Sequence, residues 1–137
     1  MSVLTAYGEN LVCNAITQYL TGQNINLVAR LTAGTTVDPS LGAPTKQNAE
    51  TPATMSPKAV VFSISATDPD TLVNAEINFG DSTVDEIYNG IEIWDGTDTS
   101  TANRIMFGTL ATPSSVVTGQ SVKILAGSLT FSPDANN

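Results

Sequence analysis

The sequence predicts a mainly β fold: an antiparallel, jelly-roll-like β-sandwich of about seven or eight short strands, with one N-terminal α-helix and one long extended loop. Three observations predict it. Short apolar runs that alternate with polar residues recur over residues 59–132, separated by Gly, Pro, Asp and Asn. Ser and Thr supply 31 of the 137 residues while charged residues make up only 13%, a balance that suits strands better than charge-laced helices. A helical period appears once, near the N-terminus. With 41% hydrophobic residues, a chain of this length can build one core, so a single domain over residues 1–137 is expected.

The helix is expected over about residues 5–21. Leu4, Tyr7, Leu11, Val12, Ala15, Ile16, Tyr19 and Leu20 recur at three- and four-residue spacing, which reads as one inward apolar stripe. Thr5 suits the N-cap and Gly22 the left-handed position after the last turn. Cys13 lies off the centre of that stripe, as a small semi-buried residue. A strand follows over about 25–31, with Ile25, Leu27, Ala29 and Leu31 on one face. Residues 32–58 show no period and carry Pro39, Pro44, Pro52 and Pro57. They read as an extended arm that becomes ordered against a neighbour, with Thr35, Val37, Pro39, Leu41, Pro44, Lys46, Pro52 and Met55 as the contact residues.

Strand patterns fill the rest. Val60, Phe62 and Ile64 alternate with Val61, Ser63 and Ser65, and Asp68-Pro69-Asp70 turns the chain. Val73, Ala75, Ile77 and Phe79 form the inward set opposite Asn74, Glu76 and Asn78. One or two strands run across Asn89-Gly90 to Trp94, another covers Arg104 to Leu110, and Thr112-Pro113-Ser114 reads as a turn. Val122–Leu125 and Ser128–Phe131 close the body through Ala126-Gly127.

Charge excludes several functions. The net charge is −8, and the five basic residues are scattered at Arg30, Lys46, Lys58, Arg104 and Lys123, so neither nucleic acid nor an anionic membrane is an expected partner. No apolar run reaches the length of a spanning helix, and no secretory signal is read at Met1-Ser2-Val3-Leu4. The chain has no histidine, which removes the commonest general base and zinc ligand. No Gly-rich phosphate loop or nucleophile elbow is present. The expectation is a non-enzyme without a cofactor.

Two features invite a ligand. Asp68, Asp70, Glu76, Asp81, Asp85, Glu86, Glu92, Asp95 and Asp98 fall in a stretch without Lys or Arg. They read either as an acidic outer face or as turn and edge residues. Within it, Asp95 and Asp98 of Asp95-Gly96-Thr97-Asp98-Thr99-Ser100 are the candidate calcium ligands; the twelve-residue loop with its closing Glu is absent, and Asp-Gly also makes turns. Trp94, the sole tryptophan, reads either as a sugar-stacking platform or as core filler with its indole N–H bonded locally.

The two ends together resemble a family. Thr5-Ala6-Tyr7-Gly8-Glu9-Asn10-Leu11-Val12-Cys13-Asn14-Ala15-Ile16 is followed by a strand. Later come Gly90-Ile91-Glu92-Ile93-Trp94-Asp95-Gly96, Phe107-Gly108-Thr109-Leu110, and Thr118-Gly119-Gln120 leading to Ala126-Gly127-Ser128-Leu129-Thr130-Phe131. This order is similar to that of small virion structural proteins of tailed bacteriophages. The resemblance implies a capsid decoration or cement protein, made in the bacterial host cytoplasm and located in the virion. Its implied partners are the major capsid protein and copies of itself. A tail or tail-fibre component is the alternative it leaves open, and a carbohydrate-binding adhesion module is the alternative built on Trp94.

Overall fold

The computed structural model describes residues 5–33, 53–97 and 102–133. They form one helix, α1 (Ala6–Gly22), and nine strands: β1 (Val28–Ala33), β2 (Lys58–Ala59), β3 (Phe62–Ile64), β4 (Leu72–Asn74), β5 (Ile77–Asp81), β6 (Glu86–Trp94), β7 (Arg104–Val116), β8 (Ser121–Ile124) and β9 (Thr130–Phe131). The fold is mainly β with antiparallel pairing, as the alternation predicts. The sheets number three instead of the two of a sandwich, in the orders β2-β1-β6-β7, β3-β4-β9 and β5-β8. The described residues gather into two compact units: 5–25, 60–77 and 124–133 in one, and 26–33, 53–59, 78–97 and 102–123 in the other.

The first unit holds α1 and the β3-β4-β9 sheet. Thr5 caps the helix: its Oγ1 accepts from the Gly8 N–H at 3.2 Å. The C-terminus differs from expectation, since Gly22 stays helical and Asn24 takes the left-handed turn at φ 56°. The Ile25 N–H donates to the Leu20 carbonyl and the Asn24 N–H to the Thr21 carbonyl, which is the double closure of a Schellman motif. Asparagine tolerates this conformation because its short polar side chain bonds locally.

The inward face of α1 is also not the expected one. Glu9 and Cys13 are its buried residues, while Tyr7, Leu11 and Tyr19 are 73%, 50% and 62% exposed. Two tethers explain the rotation. Asn10 Nδ2 donates to the Pro69 carbonyl at 2.6 Å, and the Cys13 thiol to the Asp70 carbonyl at 3.3 Å. Both anchor the helix on the turn between β3 and β4. Asn74, expected to point outward, is buried. Its Nδ2 donates to the Ala75 and Leu125 carbonyls and its Oδ1 accepts from the Leu129 N–H, so its polar atoms are satisfied inside. The strand pattern breaks at Ala75-Glu76, which separates β4 from β5 and shifts the phase of burial.

The second unit is organised by the four-stranded sheet. Val28, Arg30 and Thr32 pair with Trp94, Glu92 and Gly90, and Glu92 pairs in turn with Phe107. Paired residues share a face. A one-residue bulge at Ile105 lies between the Met106–Ile93 and Arg104–Trp94 pairs, and it returns Arg104 to the face that carries Glu92. The Glu92 carboxylate, 1% exposed, therefore sits between two guanidinium groups: Arg30 at 2.6 Å through Oε1 and Arg104 at 2.9 Å through Oε2. Each arginine also lies against an aromatic ring, Arg30 at 5.3 Å from the Trp94 centroid and Arg104 at 4.9 Å from that of Phe107. The opposite face carries Ala29, Leu31, Ile91 and Ile93, all buried. Strand β7 does not end at the expected turn. Thr109 pairs with Gly90 and Ser114 with Tyr88, so residues 110–113 form a bulge opposite Asn89 and pairing resumes beyond them.

Two stability predictions follow from these contacts. Glu92→Gln leaves two buried guanidinium groups without their shared carboxylate, and urea unfolding is expected to show a loss of about 3–5 kcal/mol. Asn24→Ala forces a Cβ-bearing residue without a local polar partner into a left-handed turn, at a cost of about 1 kcal/mol. Asn24→Gly is expected to leave the midpoint unchanged or raise it.

Candidate interaction surface

Most of the sequence-derived ligand candidates are consumed within the fold. Trp94 is 1% exposed beneath the Arg30 guanidinium, so its ring offers no stacking platform for a sugar. Its expected local bond is not made either, since Nε1 has no hydrogen-bond partner among the described residues. Asp95 binds its own loop: Oδ1 accepts the Asn103 N–H at 2.6 Å and Oδ2 the Asn103 Nδ2 at 3.0 Å. A Cβ at Gly96 would come within 3.2 Å of Ala102 Cβ, so glycine allows this loop to close tightly. Asp98 lies outside the described residues. Among the described residues, no group of three or more His, Cys, Asp or Glu is placed to hold a metal ion.

The expected arm is shorter than its 32–58 span. Thr32 and Ala33 belong to β1, and the returning chain is fastened to the second unit from Ala53 onward. The Ala53 N–H donates to the Leu31 carbonyl at 3.0 Å. The Glu86 carboxylate accepts from both the N–H and the hydroxyl of Thr54. Met55, expected to contact a partner, is 8% exposed and part of this chain's own core. Thr35, Val37, Pro39, Leu41, Pro44, Lys46 and Pro52 lie outside the described residues.

Members of the acidic stretch take separate local roles among the described residues. Glu92 is interior, and several neighbours serve as clasps. Asp68 Oδ1 accepts from the Asp70 N–H and Oδ2 from the Thr71 hydroxyl within their shared turn. Asp85 Oδ1 accepts from both the N–H and the hydroxyl of Thr118, at 2.8 and 2.9 Å. The same turn is tied by the Gly119 N–H to the Ser82 carbonyl and by the Ser82 N–H to the Gln120 carbonyl. Hydrogen bonding from the Thr118 backbone, then from its hydroxyl, holds the Asp85 carboxyl below its ordinary range. Cys13 is the only thiol in the chain. Its pKa is pushed up, chiefly by burial and then by the charges of Asp70, Asp68 and Glu9, which makes it a poor nucleophile.

Beside exposed charges such as Lys58, Glu76, Asp81 and Lys123, the surface carries large apolar residues. On the first unit the residues are Tyr7, Leu11 and Tyr19 of α1, with Val61 and Leu125. On the second they are Ile105, Phe107 and Leu110, on a strand at the edge of its sheet, with Val117 just beyond it and Val84 before β6. Among the described residues no strand pairs with the outer side of β7, and a strand at a sheet edge offers backbone donors and acceptors beside its side chains. Such surfaces suit contact with another protein. The sequence marks Arg104 to Leu110 as a strand, but nothing in the local pattern distinguishes an edge strand from a central one. No helix among the described residues is long and apolar enough to cross a membrane. No family model, no curated protein and no solved structure matches the chain.

The Asp85 clasp predicts a pH dependence. A carboxyl with a depressed folded pKa stabilises above its unfolded value, and that stabilisation is lost as pH falls through the folded value. Wild type is therefore expected to exceed Asp85→Asn in thermal stability at neutral pH. The two melting curves should converge as pH drops below the usual carboxylate range.

Proposed function

We propose that this chain is a non-enzymatic structural protein of a tailed-phage virion, most directly a capsid decoration or cement protein that ties neighbouring capsid subunits together. The observation that carries the reading is the division of labour among its polar groups. On a chain of net charge −8, Asp68, Asp85 and Asp95 are engaged in turns and Glu92 in the buried ion cluster. Exposed apolar residues stand together on an edge strand and on a helix face. A protein that works by contact needs such surfaces, and many weak contacts repeated over a lattice add up to firm attachment. The resemblance of the two chain ends to small virion proteins points the same way. On this reading the antiparallel sheets stack as a jelly-roll-like sandwich, and the β7 edge meets the capsid subunit by adding a strand to it.

Quantitative gel densitometry of purified particles tests the proposal. A decoration protein is present in a number comparable to that of the capsid subunit. A handful of copies per particle would move the protein to the tail, and its absence from purified particles would overturn the virion reading.

A further inference from the structure

We infer that the outer face of α1 is a self-association surface, on which a second copy of this chain docks its own α1 antiparallel about a two-fold axis. The face is one row of residues at four-residue spacing: Tyr7, Leu11, Ala15 and Tyr19. All four are exposed, the first, second and fourth at 73%, 50% and 62%. The helix faces inward with Cys13 and Glu9, so this row has no partner within its unit among the described contacts.

Three features select a second copy as the occupant. First, the row is its own complement. Under an antiparallel two-fold centred at the level of Cys13, Tyr7 of one copy meets Tyr19 of the other, and Leu11 meets Ala15. A large residue then faces a small one at the centre, with a tyrosine pair at each end. An isologous interface requires that reciprocity, each contact occurring twice. Rows at four-residue spacing are also the ridges through which helices most often pack.

Second, charge permits the approach. Two copies at −8 repel one another, and a docking face is tolerated only where carboxylates are absent. Glu9 is the single charged residue of α1, and it is buried on the opposite side. Third, the area fits a weak dimer. Two largely exposed tyrosines and a half-exposed leucine present roughly 400 Å² of side chain per copy, about half of what each partner gives to a standard stable interface. Association should therefore depend on concentration. Cys13 is turned away from the interface, so no disulfide is involved.

The inference stands apart from the virion reading, because purified protein tests it without any particle. In sedimentation equilibrium the full chain is expected to move from 14.3 kDa towards twice that mass as concentration rises. Leu11→Lys should weaken association at least about tenfold, whereas Leu125→Lys, at another exposed apolar position (63%), should leave it unchanged. A copy carrying Leu11→Lys with Ala15→Lys and a copy carrying Leu11→Glu with Ala15→Glu should each stay monomeric alone and form a heterodimer when mixed. Far-UV circular dichroism, whose helical signal comes from α1 among the described residues, verifies that each variant is folded. A wild type that stays monomeric at every concentration overturns the proposal. So does a folded Leu11→Lys variant that still dimerises, or a mixture of the two charged copies that fails to pair.

Discussion

The second unit depends on one carboxylate. Glu92 is buried in the middle of a sheet, where an isolated charge is strongly disfavoured, and it is held there by arginines from the strands on either side. That requirement constrains the register of three strands at once. A slip of one residue in β1 or β7 would carry its guanidinium to the opposite face, away from Glu92 and towards Ile91 and Ile93 of β6. The bulge at Ile105 belongs to the same constraint, because without it Arg104 would face the wrong way. Buried ion clusters add little net stability over well-packed apolar residues; their effect here is to make one pairing far better than its neighbours.

With the interior thus specified, the surface is free of that duty. Four other carboxylates, at Asp68, Asp85, Asp95 and Glu86, are used locally, each closing a turn or fastening a returning segment. These are exposed contacts, individually modest, yet they fix loops that would otherwise wander. The arm illustrates this: Glu86 and the Leu31 carbonyl grip residues 53 and 54 where the chain rejoins the sheet. Apolar residues on α1 and β7 are left facing outward, and the contact functions proposed for the chain rest on them.

The class of fold was legible because alternation and Thr-rich composition act through the strand period itself. The N-cap at Thr5 was legible for a similar reason, since a single hydroxyl suffices. The orientation of α1 was not. Its apolar residues cover more than one face, and the choice was made by Asn10 and Cys13 bonding to a turn some sixty residues away. The ion cluster was hidden in the same way. Arg30, Glu92 and Arg104 look like unrelated surface charges in the sequence, and only the pairing of β1, β6 and β7 brings them together. Of the two readings that the sequence leaves open for Trp94, the structure favours core filler over a sugar platform but without the local bond, because burial follows from its size whereas a partner depends on which strand lies alongside.

The two units are woven from alternating stretches of chain, with transitions after residues 25, 59, 77 and 123. Synthesis runs from the N-terminus, so α1 leaves the ribosome well before the turn that receives Cys13, and β9, which completes the sheet beside β4, follows later still. The first unit therefore cannot complete its sheet until residues 130–131 have been made, and a ribosome that stalls before them releases a chain in which β4 lacks one of its two neighbours.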